Sequence, residues 1–142
     1  MRLSQVEKNN LSRNKENELI MIGLFDCLTR VSIGDEFSVE DTLEGVYGMS
    51  FEDIPYFSKE IIIKSLSHLN EIIATFQEKM PKWKFSRINK VEQAILIMSY
   101  TNYQLVGDID KKIVINTAIN LSKKYLDDDD YKFVNAILDN VL

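Results

Sequence analysis

The sequence is poor in the residues that build disulfide frameworks, tight turns and catalytic clusters. Its 142 residues include one cysteine, one histidine, two prolines and five glycines. A single cysteine allows no disulfide within the chain, which is typical of a reducing compartment. So few turn residues disfavour a sheet-rich fold. No apolar run approaches the length of a membrane span and residues 1–5 have no signal-peptide core, so we expect a cytoplasmic protein.

The apolar residues that are present recur three and four positions apart, which is the spacing of one face of an α-helix. No alternating pattern typical of strands competes with this spacing. The sequence therefore predicts an all-α fold. Helices are expected over the approximate ranges 19–31, 38–47, 58–76, 86–105, 110–124 and 134–141.

Capping and breaking residues indicate how these helices are separated. Ser38 and Asp41 have the spacing of a capping box, and Gly48 is placed to end the helix that follows. Pro81 ends the long third pattern. We expect an N-terminal helical subdomain over residues 1–80, whose first dozen residues form a mobile arm, and a C-terminal helical subdomain over residues 81–142. Together they form one compact domain of two small bundles.

No group of side chains predicts an enzyme, a metal site or a cofactor. His68 is the only histidine and has no nucleophile motif beside it, so a structural or surface role is favoured. Cys27 lies on the apolar face of the first helix, where a free thiol usually acts as a small hydrophobic group. The aspartates at residues 127–130 lack the alternate spacing and central glycine of a calcium loop, which favours a solvated turn at a helix start.

Two segments of the C-terminal half resemble the pattern of the NusB family of transcription antitermination factors. Residues 83–96 read WKFSRINKVEQAIL, with the family's tryptophan, arginine and A-[IV]-L helix core. Residues 113–139 contain IVIN followed by AI, LSKKY and KFVNAILD, in the order that the family shows. In the N-terminal half, Leu24 and Phe25 stand where the family has an L-[YF] pair.

The resemblance implies an all-helical, non-catalytic protein that works by binding. It implies a partner, the small-subunit ribosomal protein that also acts as NusE, and a shared ligand, the boxA element of nascent RNA. The assembled pair helps RNA polymerase resist termination, so an RNA polymerase antitermination complex is the expected setting. Some family members form homodimers, which makes a homodimer possible here.

The resemblance also implies site residues in three parts of the chain. The RNA-facing positions correspond to Arg13, Lys15, Asp129, Lys132, Phe133 and Asn135. Phe133 suits stacking on an unpaired base, although its place beside the apolar stripe also fits a core residue. Asn135 fits a contact with a base edge or a residue that fixes the helix start. Glu92 matches the position that faces the protein partner, where it would pair with an arginine; the alternative is an ordinary solvated charge.

The charge of the chain leaves a second function open. Net charge is −5, which excludes a generally basic nucleic-acid binder but not a local basic patch, for which Lys82, Lys84, Arg87 and Lys90 are candidates. The family's arginine-rich helix start is reduced here to Arg13 and Lys15, and two glutamates, Glu16 and Glu18, follow them. A protein-interaction module that has lost RNA binding is therefore the main alternative. An accessory domain of an RNA methyltransferase is a weaker one, because no catalytic domain follows residue 142.

Overall fold

The computed structural model describes residues 11–142, and within that range it contains helices and no strand. The α-helices are α1 Arg13–Ser32, α2 Val39–Tyr47, α3 Tyr56–Ser67, α4 Leu69–Lys79, α5 Lys90–Tyr100, α6 Lys111–Tyr125 and α7 Asp130–Val141. The all-α prediction is confirmed. None of these helices is long and apolar enough to cross a membrane. Most of the predicted mobile arm lies outside the described residues.

Helix α1 is longer than its apolar pattern predicted. Ser12 caps it, accepting a hydrogen bond from the backbone N–H of Lys15 at 3.1 Å, so the helix begins six residues before the first apolar position. Its inner face buries Ile20, Leu24 and Cys27 completely. Burial raises the pKa of the Cys27 thiol to about 11, which keeps it protonated. The interpretation of Cys27 as a small hydrophobic residue is therefore confirmed.

Helix α2 begins and ends where its capping residues predicted. Ser38 Oγ accepts from the Asp41 N–H at 3.2 Å, and Gly48 ends the helix in the left-handed conformation at φ 66°. The helix packs closely on α1 because Gly23 has no side chain. A Cβ added at Gly23 would lie 3.0 Å from Leu43 of α2 and 3.2 Å from Ile62 of α3. Such a short contact is below ordinary packing distance.

The single long helix predicted over residues 58–76 is wrong: the structure divides it into α3 and α4. The break is at His68, whose backbone leaves the helical region at φ −111° and ψ 19°. Its ring is half-buried and lies 3.3 Å from Glu71, so the residue has the structural role that was favoured. The sequence hides the break because neither glycine nor proline marks it and the apolar spacing continues across it.

The predicted start of the next helix, near Ser86, is also wrong. Residues Phe85–Arg87 form a 3₁₀ turn, and α5 begins at Lys90 because Asn89 accepts hydrogen bonds from the N–H groups of Val91 and Glu92, at 2.8 and 3.4 Å. The predicted end near residue 105 is confirmed, although Thr101–Val106 continues α5 as a π-helical segment.

The two halves of the chain share their core. Helix α5 is buried on most of its surface, as its all-round apolar sequence predicted, and α1 packs along it. One cluster of buried side chains runs from Leu19 in α1 through Phe76 and Ile95 to Leu138 in α7. The subdomain boundary near residue 81 remains a prediction. Asp110 caps α6 as expected, accepting from the Lys112 N–H at 2.8 Å.

Candidate nucleic-acid and partner interface

A surface groove of about 700 Å³ lies where the segment before α5 faces the start of α7. We call it the aromatic groove. Its lining residues are Lys82, Trp83, Lys84, Arg87, Ile88, Asn89, Glu92, Asp130 and Phe133. The set combines residues from two distant parts of the sequence, 82–92 and 130–133, and it includes two of the predicted site residues, Phe133 and Glu92.

Two buried or half-buried glutamines hold the wall of the groove in place. The side chain of Gln77 donates to the carbonyls of Met80 and Trp83 at 3.1 and 2.6 Å, and it accepts from the Phe85 N–H at 2.9 Å. Gln93 donates to the carbonyls of Phe85 and Ile88 at 3.2 and 2.7 Å. These bonds supply the partners that an irregular segment cannot obtain from a helix. The exposed side chains of residues 82–87 are thus presented on a fixed backbone.

An aromatic pair crosses the groove. The rings of Trp83 and Phe133 meet edge to face, with centroids 5.7 Å apart and an interplanar angle of 65°. Trp83 is 59% exposed, whereas Phe133 is half-buried and also packs against the core. Phe133 therefore contributes to the core and borders the surface at the same time. An exposed tryptophan beside a second ring offers a flat apolar surface in an otherwise charged region.

Basic side chains flank this pair. Lys82, Lys84 and Arg87 all line the groove, and none of them forms an ion pair within residues 11–142. The fourth member of the candidate basic patch, Lys90, does not line it. Cations without a carboxylate partner remain available to an anion from outside. The local basic patch that the sequence allowed is therefore present, in part, beside the aromatic pair.

Glu92 lies at the inner side of the groove and is only 9% exposed. Burial, assisted by the nearby negative charge of Asp130, raises the pKa of its carboxyl to about 7. No group in the described part of the chain donates a hydrogen bond to this carboxyl. The alternative that Glu92 is an ordinary solvated charge is wrong, because α5 carries it into a largely buried position.

The remaining predicted residues of α7 lie near the groove but do not line it. Asp129 precedes the helix with φ 76° and forms an ion pair with Lys132 at 3.2 Å; both side chains are exposed. Asn135 is exposed in the second turn and caps nothing, so the alternative that it fixes the helix start is wrong. The Asp127 N–H donates to Asp130 at 3.1 Å, within the exposed turn that the acidic run predicted.

Arg13 and Lys15 lie on a different surface, at the start of α1. Arg13 lies 3.8 Å from Glu16 and places its guanidinium 3.8 Å from the centre of the Phe57 ring. Lys15 lies 3.7 Å from Glu18, which also binds Lys124 of α6. The hydrogen bond from Lys124 lowers the pKa of the Glu18 carboxyl, which therefore stays ionised. None of the described contacts places either cation against the aromatic groove.

Sequence reasoning missed two features of the groove. Trp83 was noticed only as part of a motif, and Asp130 only as part of an acidic run. The sequence did carry a signal for Trp83. It lies between Lys82 and Lys84, and an aromatic residue between basic residues is typical of a nucleic-acid-binding surface. Nothing local pointed to Asp130, because its influence on Glu92 depends on the packing of α7 against α5.

Comparisons with known proteins identify the family to which the chain is similar. The NusB family model matches residues 15–142. The transcription antitermination protein NusB of Macrococcus caseolyticus is 32% identical over 107 residues, covering 75% of this chain and 80% of that protein. The Treponema denticola protein of the same name is 39% identical over 85 residues, which are 60% of this chain and 62% of the relative's length.

Two solved structures share the fold. Thermotoga maritima NusB superposes with a TM-score of 0.78 and 21% identity, covering 99% of this chain and 92% of that one. A chain in the crystal structure of a plectonemic RNA supercoil superposes with a TM-score of 0.74 and 19% identity, covering 92% and 94%. The sequence relatives bear the name of transcription antitermination proteins, which are not enzymes. The family match over nearly the whole described chain shows that this protein belongs to the NusB family.

Proposed function

We propose that this protein is an RNA-binding transcription antitermination factor that acts in the cytoplasm with a NusE-type small-subunit ribosomal protein on boxA-like RNA, within an RNA polymerase antitermination complex. The observation that carries the proposal is the aromatic groove. In it lie together the exposed Trp83, the half-buried Phe133, a buried carboxyl and three cations that have no ion-pair partner within residues 11–142. Family membership suggests two ligands, the RNA and the NusE-type protein. The side chains of the groove suit both the RNA and the protein.

The rim of the groove fits single-stranded RNA. Stacking of a base on an aromatic side chain contributes about 1–3 kcal/mol and needs no particular base. Trp83 and Phe133 offer such a surface, and Lys82, Lys84 and Arg87 are placed to neutralise phosphates beside it. Lys132 and Asn135 extend the same contact along the exposed face of α7. The overall charge of −5 then restricts RNA to this basic region.

The inner part of the groove fits a cationic group of a protein partner. A buried carboxyl without a hydrogen-bond donor is unfavourable in its charged form, which is why the pKa of Glu92 is raised. An arginine inserted from a partner would supply two donors and a compensating charge. Partner binding should therefore ionise Glu92 and bind most tightly above pH 7.

The start of α1 favours the second candidate, a protein-interaction module without RNA binding. Arg13 and Lys15 each lie next to a glutamate one turn further along α1, at 3.8 and 3.7 Å. A phosphate must compete with these carboxylates for each cation. Exposed ion pairs of this kind are weak, so they reduce RNA affinity without abolishing it.

A binding titration separates the two candidates. Fluorescent boxA-like RNA is titrated with this protein, alone and with the NusE-type partner, at two salt concentrations. Binding that sharpens with the partner and weakens with salt supports the antitermination factor. Intact partner binding with no RNA binding at either salt concentration supports the interaction module. Loss of both would contradict the family's function for this chain.

Two variants assign the roles within the groove. Glu92→Gln should weaken partner binding and leave the salt dependence of RNA binding unchanged. Trp83→Ala should weaken RNA binding about tenfold, the loss of one stacked base, with little effect on the partner. Glu78→Gln, an exposed carboxylate of α4 outside the groove, is the matched control for Glu92→Gln. Equal effects of Glu92→Gln and Glu78→Gln would remove Glu92 from the partner site.

A further inference from the structure

A second concave surface lies where α1 ends and where the chain turns from α3 into α4. Its volume is about 480 Å³, and it shares no residue with the aromatic groove. We call it the acid-rimmed groove. Its apolar lining consists of Val31, Phe37, Val39, Leu66 and Leu69, and Glu71 also lines it.

Two of these apolar side chains remain at the surface. Val31, in the last turn of α1, is 47% exposed. Phe37, in the connection between α1 and α2, is half-buried but does not pack against the buried cluster of residues 11–142. Val39, Leu66 and Leu69 do pack against that cluster. The groove therefore joins the core to an aromatic and an aliphatic side chain that a bound partner can bury.

The two segments that form the groove are acidic. Residues 31–41 contain four aspartates and glutamates, residues 65–71 contain one, and neither segment contains lysine or arginine. The cations next to them in sequence, Arg30 and Lys64, each form an ion pair with a carboxylate of their own helix, at 2.8 and 3.1 Å. The side chain of Glu71 is 81% exposed. The charge around the groove is therefore negative and attracts cations.

This charge disfavours two kinds of occupant. The phosphates of RNA would be repelled. A second copy of the chain that met the groove symmetrically would place the same carboxylates opposite each other, because such an interface pairs identical surfaces. The occupant whose chemistry matches the groove carries both apolar and basic side chains.

The helical fold limits the conformation of this occupant. Residues 11–142 contain no strand, so they offer no sheet edge to which an extended segment could add. An amphipathic helix docks in another way, by laying its apolar stripe into a groove between helices. Lysines and arginines beside such a stripe cover apolar surface with their stems and reach carboxylates at the rim with their charged ends.

We propose that the acid-rimmed groove binds an amphipathic helix of a partner protein, whose apolar stripe is flanked by lysines and arginines. Val31 and Phe37 receive the stripe, while Glu71 and the carboxylates of residues 35–41 attract the basic side chains. The inference goes beyond the proposed function, because the groove is separate from the site assigned to RNA and the NusE-type protein. It stands or falls independently of that assignment.

The first test uses a synthetic peptide as the probe. A fluorescent peptide of leucine and lysine, about 14 residues or four helical turns long, carries its leucines three and four positions apart. Fluorescence anisotropy measures its binding to the full chain. A peptide with glutamate in place of lysine, and a scrambled peptide of unchanged composition, should each bind about tenfold more weakly. Equal binding of all three peptides would overturn the proposal.

Matched variants locate the bound peptide. Glu71→Lys should weaken binding of the leucine–lysine peptide about tenfold, whereas Glu78→Lys, the same change on α4 outside the groove, should leave it unchanged. Val31→Ser should weaken it about fivefold, whereas Ile113→Ser, at an exposed apolar position of α6, should not. Equal losses within either pair would overturn the proposal, because binding would then follow net charge or general hydrophobicity. Thermal unfolding checks the fold of each variant.

A measurement by NMR needs no variant. The backbone amide signals of the ¹⁵N-labelled full chain are followed as the leucine–lysine peptide is added. Shifts centred on Phe37 and Leu69 support the proposal. Shifts centred on Trp83 and Glu92 would overturn it by placing the peptide in the aromatic groove, and the absence of any shift would also overturn it.

Sedimentation of the free protein tests the other protein occupant, a second copy of the chain. A monomer supports the proposal, because it leaves the groove open to a different protein. Self-association that Val31→Ser abolishes and Ile113→Ser preserves would overturn the proposal in favour of a homodimer.

Discussion

At the level of single residues, Glu92 is the side chain whose chemistry depends most on its surroundings. In the sequence it is one carboxylate within an apolar helix. In the fold it is 9% exposed and lies close to Asp130, so burial and that negative charge raise the pKa of its carboxyl to about 7. Its charge at neutral pH is therefore incomplete, and a cation bound in the groove would favour the ionised form.

This raised pKa predicts a pH-dependent effect of Glu92→Gln on stability. Between the ordinary pKa of 4.5 and the folded value of about 7, the folded state holds a proton that the unfolded state has lost. Glu92 therefore lowers the free energy of unfolding as pH rises through this window, whereas glutamine does not titrate. As pH rises from 4.5 to 8, the free energy of unfolding of Glu92→Gln should therefore increase by roughly 1–3 kcal/mol relative to that of the wild type.

Denaturant unfolding of both proteins at pH 4.5, 6 and 8 measures this difference. Glu78→Gln serves as the control, because that carboxylate is exposed and no such gain is expected. A stability difference that stays constant over this pH range would show that Glu92 titrates normally.

At the level of secondary structure, the glycines of α2 act in opposite ways. Gly48 ends the helix with φ 66°, a conformation that favours glycine, whereas Gly45 lies inside the helix with open space where a Cβ would stand. Gly48→Ala should destabilise the protein by about 1 kcal/mol, and Gly45→Ala should stabilise it by about 0.5–1 kcal/mol.

Denaturant midpoints of the two variants check this prediction, and each variant is the control for the other because both make the same chemical change. Effects of the same sign would mean that local helix geometry does not govern these positions. Neither glycine lines the aromatic groove, so RNA and partner binding should stay unchanged.

At the level of the whole molecule, the shared core predicts that the two halves unfold together. The buried cluster joins Leu24 of α1 to Ile95 of α5 and Leu138 of α7 without interruption. In addition, Ser65 of α3 and Thr101 of the π-helical segment share a buried hydrogen bond of 2.7 Å. We expect one cooperative transition in calorimetry, with equal calorimetric and van't Hoff enthalpies.

Leu24→Ala should shift that single transition to lower temperature, because it removes a fully buried side chain at the contact between the halves. Two resolved transitions would instead support independent subdomains on either side of residue 81. The exposed Val31→Ala is a suitable control and should leave the transition nearly in place.

The sequence by itself determined the features that depend on neighbouring residues. Ser38, Gly48 and Asp110 mark helix ends because capping involves backbone groups within a few positions, and the structure confirms all of them. The all-α class followed from apolar periodicity, and the family followed from motifs in residues 83–139. Where local signals were weak, as at His68 and Asn89, the predicted helix boundaries were wrong.

Tertiary structure alone decided how the candidate site is composed. Trp83 and Phe133 become neighbours only when the segment before α5 packs against α7, and the same packing buries Glu92 beside Asp130. Burial and pairing depend on residues distant in sequence, so no local pattern specifies them. The aromatic pair and the raised pKa of Glu92 therefore both depend on long-range contacts.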